Sequence, residues 1–217
     1  MKIGIISDTH DNLLMINRAV QAFKEENIGM LFHAGDHIAP FTPMIWKKLE
    51  IEVQAIFGNN DGDRENLKKS FLRIGDIHER PKEFIIYNKK IIMLHEPDNL
   101  DEIVKSEKYD YVIYGHTHRK KAYHEGRTFV INPGEGCGWI TGGFSRALNL
   151  RLSTMRLLPW NDIMLSRSSS LPISGDTAGS SGGAGAAGAG GSPSSRYSAI
   201  IFSSVPFLKY IALLVIE

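Results

Sequence analysis

Aspartate and histidine residues recur at the ends of short apolar runs in the first half of this chain. The run Ile3–Ile6 is followed by Asp8 and His10, which stand two residues apart. A buried strand that ends in front of such a pair brings both side chains to its carboxyl end, where open α/β sheets place their sites. A single Asp-x-His pair is also compatible with a cap or turn role for Asp8.

Four further apolar runs repeat this arrangement along the chain. Each run is typical of a strand and ends in side chains that can bind a metal: Asp36, Asn59, His95, and His116 with His118. Caps and surface turns would favour Ser, Gly and Lys as readily, and they would not place four histidines at strand ends. The recurrence therefore predicts a metal site built from five strand ends.

Seven candidate ligands are too many for one ion and favour two. Imidazole and carboxylate groups together suit borderline divalent metals. Two ions about 3.5–4 Å apart need a shared ligand, and a carboxylate can bridge them. Such a pair lowers the pKa of a bound water and binds the oxygens of an in-line phosphoryl displacement. Hydrolysis of a phosphate ester is therefore the leading reaction class.

The elements around these strands indicate an α/β protein. Helical spacing of apolar residues, or a short helix, is predicted over four segments: 13–26, 46–49, 64–71 and 100–105. Hairpins are predicted over 83–94, with the turn at Asn88-Lys89, and over 121–131. Strands that alternate with helices place the candidate ligands together at one edge of a sheet.

In this order the motifs resemble the calcineurin-like metallophosphoesterase superfamily, and within it the small YfcE-type phosphodiesterase branch. The motifs concerned are Asp8-x-His10, Gly35-Asp36, Gly58-Asn59-x-Asp61, His95 and Gly115-His116-x-His118. The resemblance extends from residue 1 to about residue 143. It implies a four-layer α-β-β-α sandwich of two mixed sheets flanked by helices.

The resemblance also implies a role for each motif residue. The implied ligands of the first metal are Asp8, His10 and His118; those of the second are Asn59, His95 and His116; Asp36 bridges both. The implied catalytic residues are Asn59, Asn60 and Asp61, and a hydroxide between the metals would attack phosphorus. Manganese is the expected metal, with nickel, iron, zinc and magnesium as alternatives.

Two positions depart from the family pattern. Asn60 stands where much of the superfamily has a histidine, and an amide can donate a hydrogen bond to phosphate but cannot act as an acid. The small branch also lacks that histidine, so Asn60 favours the branch. Glu96-Pro97 follows His95, where the branch usually has Gly-His. The negative side chain of Glu96 could narrow the site or repel a phosphate.

Composition narrows the expected partners and compartment. The net charge of +1 gives no argument for nucleic-acid or membrane binding, so a small phosphodiester is the expected partner and a homo-oligomer stays open. Arg119, directly after His118, is a candidate phosphate contact, with a solvated charge run as the alternative. The single cysteine, Cys137, and the absence of a secretory signal indicate a cytoplasmic protein.

The end of the chain differs from the rest. We expect a metallophosphoesterase domain over residues 1–152 and an atypical tail over 153–217, in which 165–198 is dominated by Ser, Gly and Ala. The preferred hypothesis is that a frameshift near residue 143 replaced the native ending. For the apolar segment 200–216, the alternatives are a membrane anchor and a strand or helix docked on the domain.

Three functions are compatible with the sequence. A dimetal phosphodiesterase is favoured because every ligand position holds a residue that can bind metal. The same fold also serves as a non-catalytic scaffold, as in the retromer scaffold protein, and a phosphomonoesterase would use the same motifs. Metal-dependent hydrolysis separates enzyme from scaffold, and diester against monoester substrates separate the two enzymes.

Overall fold

The computed structural model describes residues 1–140, 200–202 and 212–216. These residues form eleven strands, numbered in chain order: β1 Lys2–Ile6, β2 Met30–His33, β3 Glu52–Ile56, β4 Gly75–His78, β5 Lys82–Ile86, β6 Lys89–Met93, β7 Tyr111–Ile113, β8 Lys121–Glu125, β9 Thr128–Asn132, β10 Ile200–Phe202 and β11 Ala212–Val215. Three α-helices and one 3₁₀ helix accompany them: α1 Leu13–Glu25, α2 Arg64–Phe71, α3 Leu100–Lys105 and the 3₁₀ helix Thr42–Leu49.

The strands form two mixed sheets. The first sheet has six strands in the order β10-β11-β1-β2-β3-β4, in which β1 to β4 run parallel and β11 pairs antiparallel with β1. The second sheet has five strands in the order β5-β6-β7-β9-β8, with β6, β7 and β9 parallel. The parallel strands point their carboxyl ends toward the loops that carry the candidate ligands.

Three apolar layers fill the space between four layers of secondary structure. One cluster joins α1, α2 and the 3₁₀ helix to the first sheet and includes Phe23, Trp46 and Phe71. The central cluster joins the inner faces of the two sheets, with Phe32 of β2 and Met93 of β6 among its residues. A third cluster packs α3 on the second sheet. The predicted four-layer α-β-β-α sandwich is therefore confirmed.

Two local expectations need correction. The first hairpin turns at Tyr87-Asn88 rather than at Asn88-Lys89, because both Tyr87 and Asn88 have positive φ, as the tight turn between β5 and β6 requires. Strand β4 was not expected from the sequence. Its four residues are mostly half-buried or exposed and lack a clear apolar alternation, so a periodicity argument has little to detect.

The C-terminal strands join the first sheet. Strand β11 pairs with β1 in a register that places Leu214 opposite Ile3, and Leu214 and Ile216 are buried. The apolar segment 200–216 thus contributes strands, which was one of its alternatives. The segment 147–152, whose sequence is compatible with a strand, lies outside the described residues. None of the helices in the described ranges has the length and hydropathy that a membrane crossing requires.

Candidate metal centre

Five strand ends bring the predicted ligands together. Three loops come from the first sheet, after β1, β2 and β3, and two come from the second sheet, after β6 and β7. They carry, in the same order, Asp8 with His10, Asp36, Asn59, His95, and His116 with His118. The backbone ties these loops to one another, because the amide of Asp8 donates to the carbonyl of Gly35 and that of Gly115 to the carbonyl of His95.

The carboxylate of Asp36 lies at the centre of the cluster. Its Oδ2 is 3.5 Å from Nε2 of His10, and its Oδ1 is 3.4 Å from Nε2 of His95. On the first side, Oδ1 of Asp8 lies 3.4 Å from Nε2 of His118 and 3.9 Å from Nε2 of His10. One carboxylate therefore separates two groups of histidines, which is the arrangement that a bridging ligand requires.

The second side is built around the amide of Asn59. Its Oδ1 lies 2.9 Å from Nε2 of His95 and 2.9 Å from Nδ1 of His116. His95 is fully buried, and its Nδ1 donates to the carbonyl of Ala34 at 2.7 Å. That bond fixes the ring so that Nε2 faces Asn59 and Asp36.

The charges within the cluster shift the acidities of its carboxylates in opposite directions. Burial would raise the pKa of Asp36, but the hydrogen bond and positive charge of His95, together with two hydrogen bonds from Asn60, lower it well below its usual range. Burial raises the pKa of Asp8, against its hydrogen bond to Ser7. Burial would lower the pKa of His95, yet the attraction of Asp36 raises it. The cluster thus concentrates negative charge at Asp36.

Five of the seven candidate ligands have left-handed backbone conformations. Positive φ angles between 41° and 61° occur at these ligands: Asp8, His10, Asp36, His116 and His118. Such angles are uncommon outside glycine, and each one costs free energy that the surrounding structure must offset. Sites where backbone strain accumulates in this way are typical of functional centres.

Two glycines allow the loops to approach the carboxylates. A Cβ atom on Gly58 would lie 2.0 Å from Oδ1 of Asp36, and a Cβ on Gly115 would lie 2.0 Å from Oγ of Ser7 and 2.8 Å from Oδ2 of Asp8. A side chain at either position would displace the loop that carries Asp36 or the loop that carries Asp8. The Gly-Asn and Gly-His pairs are therefore needed for close packing around the cluster.

The other predicted site residues, Asn60, Asp61 and Arg119, differ in their contacts and exposure. Asn60 contacts the cluster, since its backbone and side-chain amides both donate to Asp36, at 2.9 and 2.7 Å. The carboxylate of Asp61 is buried and accepts from the backbone N–H groups of four residues: Asp36, His37, Ile38 and Gly58. Arg119 is exposed, and its side chain forms no ion pair with residues 1–140.

Glu96 does not present an unpaired charge to the site. Its Oε1 accepts a hydrogen bond from Nη2 of Arg80 at 2.5 Å, and both side chains are about three-quarters buried or more. Arg80 also donates to the carbonyl of Phe57 at the end of β3. The guanidinium offsets the negative charge that was expected to repel a phosphate.

Glu135 is a site residue that the sequence did not reveal. It is fully buried, and its Oε2 accepts a hydrogen bond from Nδ1 of His118 at 2.9 Å. The same oxygen accepts from the backbone N–H of Ile140 at 3.2 Å and from the thiol of Cys137 at 3.4 Å. Glu135 follows Asn132-Pro133-Gly134 in an irregular loop, where no periodicity marks it as buried.

The geometry fits divalent cations. Nε2 of His10 is buried, has no hydrogen-bond partner among the described residues, and faces the carboxylates of Asp8 and Asp36. Three groups of three described residues have their ligand atoms within 4.8 Å of one another: Asp8, His10 and His118; Asp8, Asp36 and His95; and His118, Glu135 and Cys137. A buried imidazole nitrogen that faces two carboxylates is satisfied when a cation lies between them.

Comparison with known proteins gives the family. Residues 1–153 match the model of the calcineurin-like phosphoesterase superfamily domain. The chain belongs to this superfamily. The family predicted from the strand-end motifs is thereby confirmed, and the match includes all seven candidate ligands.

Relatives with known structures or activities extend this result. Phosphodiesterase MJ0936 of Methanocaldococcus jannaschii is 40% identical over 149 residues, which are 65% of this chain and 88% of the relative. The solved structure of an archaeal phosphodiesterase superposes with a TM-score of 0.62 at 39% identity, and the match covers 65% of this chain and 88% of that one. Vps29 of Chaetomium thermophilum gives a TM-score of 0.50 at 17% identity, covering 64% and 75% of the two chains, which concerns the fold alone.

These similarities identify this calcineurin-like phosphoesterase as a hydrolase of phosphate esters. Family membership and the 40% identical relative support phosphoesterase activity for this chain. The fold shared with Vps29 does not by itself specify a reaction. The particular ester and the roles of the individual ligands therefore depend on the geometry of the site.

Proposed function

We propose that this protein is a dimetal phosphodiesterase. The observation that carries the proposal is the position of Asp36, whose two carboxylate oxygens face His10 on one side and His95 on the other. A carboxylate with histidines on both sides suits a bridge between two cations. The similarity to phosphodiesterase MJ0936 supports the diester as the substrate class.

Each cation would be held by residues from both sheets. The first would take Asp8, His10 and His118, and the second would take Asn59, His95 and His116, with Asp36 shared. When bound, the two cations would lower the pKa of a water molecule and neutralise the charge on the phosphate oxygens. Manganese suits this mixture of imidazole, carboxylate and amide ligands.

The residues of the chain then position the substrate and keep the ligands deprotonated. The lowered pKa of Asp36 keeps its carboxylate ionised down to acidic pH, so it remains available to cations. The Asn60 side chain, which donates to Asp36 at 2.7 Å, lies where it can also donate to a phosphate oxygen. Because an amide cannot supply a proton, the leaving group must be a good one or must take its proton from solvent.

A small phosphodiester in the cytoplasm fits the remaining features. The near-neutral net charge offers no general attraction for a polyanion, and the single cysteine suits a reducing compartment. We place the catalytic domain at residues 1–152 and regard residues 153–217 as an atypical tail, of which β10 and β11 complete the first sheet of that domain. Sequencing the gene across codons 135–150 tests its frameshift origin, which is refuted if no alternative reading frame encodes a family-like terminal strand.

The function is tested by metal-dependent hydrolysis. The full chain is stripped with a chelator, reloaded with manganese or nickel, and assayed on a bis-aryl phosphate and on an aryl phosphate monoester. We expect activity to return with metal and to be greater on the diester. His116→Ala should abolish it, whereas His124→Ala, which removes an exposed histidine on β8, should leave it intact.

The other outcomes point to other functions. Greater activity on the monoester would replace the phosphodiesterase with a phosphomonoesterase. A folded protein that binds two metals per chain and hydrolyses neither ester would favour a metal-binding scaffold. Full activity in His116→Ala would overturn the assignment of the second cation site.

A further inference from the structure

We infer that Trp139 forms a stacking platform beside the metal centre for the base of a nucleotide phosphodiester. This inference rests on the proposed phosphodiesterase function and names its substrate class. The indole ring is 62% exposed, and its centroid lies 6.3 Å from that of His10, with 27° between the ring planes. A single imidazole therefore separates the exposed indole from the carboxylate of Asp36.

The backbone on both sides of Trp139 is hydrogen-bonded to residues that surround the candidate metal centre. The amide of Gly136 donates to the carbonyl of Ser7 at 2.7 Å, and that of Cys137 donates to the carbonyl of Asp8 at 2.9 Å. On the other side, the amide of Ile140 donates to the buried carboxylate of Glu135 at 3.2 Å. The loop is thus held by the same residues that position the metal ligands.

This combination is unusual for an exposed aromatic residue. Single exposed apolar side chains are common on protein surfaces and need no explanation. Trp139 differs because it lies on an anchored loop, next to a metal ligand, with its ring nearly parallel to the imidazole of His10. A rigid, exposed indole offers a large stacking surface at little cost in conformational entropy.

The chemistry of the neighbouring site selects the ligand. With cations held by Asp8 and Asp36, a bound phosphate would direct its ester substituents away from these carboxylates, and a substituent directed past His10 would face the indole. A planar group a few bonds from phosphorus can reach the indole there. The base of a nucleotide is such a group, and aromatic side chains bind bases by stacking. The platform tolerates different bases because each has a π face.

Binding of two small phosphates to the manganese-loaded full chain tests the platform. Adenosine 5′-monophosphate and methyl phosphate carry the same phosphate group and differ in the nucleoside, and calorimetry measures both affinities. We expect Trp139→Ala to weaken adenosine monophosphate about tenfold, which corresponds to about 1.4 kcal/mol, and to change methyl phosphate by less than about twofold. Trp139→Phe should keep most of the affinity, because a phenyl ring still stacks.

Tyr87→Ala is the matched control. Tyr87 is 64% exposed and lies in the β5–β6 turn, at the opposite end of β6 from His95. It should bind both phosphates as the wild type does. Equal weakening of both phosphates in Trp139→Ala would overturn the platform and assign Trp139 to the support of the metal centre. Unchanged affinities would overturn it as well. Metal-dependent hydrolysis of the bis-aryl phosphate is measured on the wild-type protein, so the failure of the platform is distinguishable from that of the proposed function.

Discussion

The buried carboxylate of Glu135 lies 2.9 Å from Nδ1 of His118 and fixes the orientation of that ring. Because the carboxylate accepts from Nδ1, the lone pair of Nε2 points toward Asp8, 3.4 Å away. Carboxylates that bind the far nitrogen of a metal-bound histidine orient it and raise its basicity. Glu135 would therefore position His118 for the first cation of the proposed pair.

Replacement of Glu135 should weaken metal binding. We expect Glu135→Gln to lower the affinity for manganese about tenfold and Glu135→Ala to lower it up to about 100-fold, since partners of metal ligands typically contribute on this scale. Competition with a chelator measures the affinity directly. Glu125→Gln, an exposed glutamate on β8, should bind metal like the wild type. Unchanged affinity in Glu135→Ala would show that His118 is oriented without it.

Asp61 should contribute to stability before it contributes to catalysis. Its carboxylate accepts four backbone N–H groups, and Asp61→Asn would turn a side-chain N–H toward some of these donors. We expect the metal-free variant to lose roughly 2–4 kcal/mol of unfolding free energy. Urea denaturation measures this loss, with the exposed Asp98→Asn as the control.

The hydrolytic activity of the same Asp61→Asn variant, compared with its stability, tests the catalytic role that the family motif implies for Asp61. If Asp61→Asn were as stable as the wild type yet inactive, the carboxylate would act in the reaction rather than in the loop. If it is destabilised and its activity recovers at low temperature, the carboxylate acts by holding the loop that carries Asp36.

The ion pair between Arg80 and Glu96 should keep KM for anionic substrates low, because the guanidinium offsets the charge of the Glu96 carboxylate. Removal of the guanidinium in Arg80→Ala leaves the charge of Glu96 unpaired next to His95. We expect KM for a bis-aryl phosphate to rise by up to about fivefold, the scale of a partly exposed charge pair, with a smaller rise at high salt. Steady-state kinetics measure KM and kcat separately.

A second variant separates charge from structure. Arg80→Ala combined with Glu96→Ala removes both charges, so KM should return to near the wild-type value. If the double variant keeps the raised KM, the loss of the hydrogen bond from Arg80 to the carbonyl of Phe57 explains the effect instead of electrostatic repulsion.

The sequence predicted which strand-end residues meet at this site far better than the residues that support them. Asp36 and His95 could be found because each follows an apolar run, and the carboxyl ends of parallel strands meet at one edge. Glu135 could not be found, since its contact with His118 depends on how two irregular loops meet in space. The sequence motif placed Asp61 in the reaction, whereas the structure directs its carboxylate to backbone amides.

The same distinction applies to the fold. The four-layer sandwich was predicted through the resemblance of the strand-end motifs to a known superfamily, whereas the order of strands and helices by itself indicates only an α/β protein. The turn at Tyr87-Asn88 was displaced by one residue because two adjacent positions can supply a tight turn, and β4 lacks an apolar pattern. The pairing of β11 with β1 joins residues more than 200 positions apart, which local patterns do not specify.

Cys137 should be chemically inert in the folded protein. Burial raises the pKa of its thiol to about 12, against a hydrogen bond from the Trp139 backbone, and the charge of Glu135 adds to the rise. At pH 8 this shift lowers the thiolate population about 1,000-fold relative to its ordinary value. Because the folded state disfavours the thiolate, the neutral thiol of Cys137 contributes to the stability of the folded state. This contribution is complete below the pKa of the unfolded thiol and is lost as pH rises toward 12.

Reaction of Cys137 with a disulfide reagent should therefore be slow at pH 8 and become fast in denaturing urea. Rapid labelling of the folded protein would show that the loop around Glu135 opens, and it would contradict the anchored geometry on which Trp139 depends.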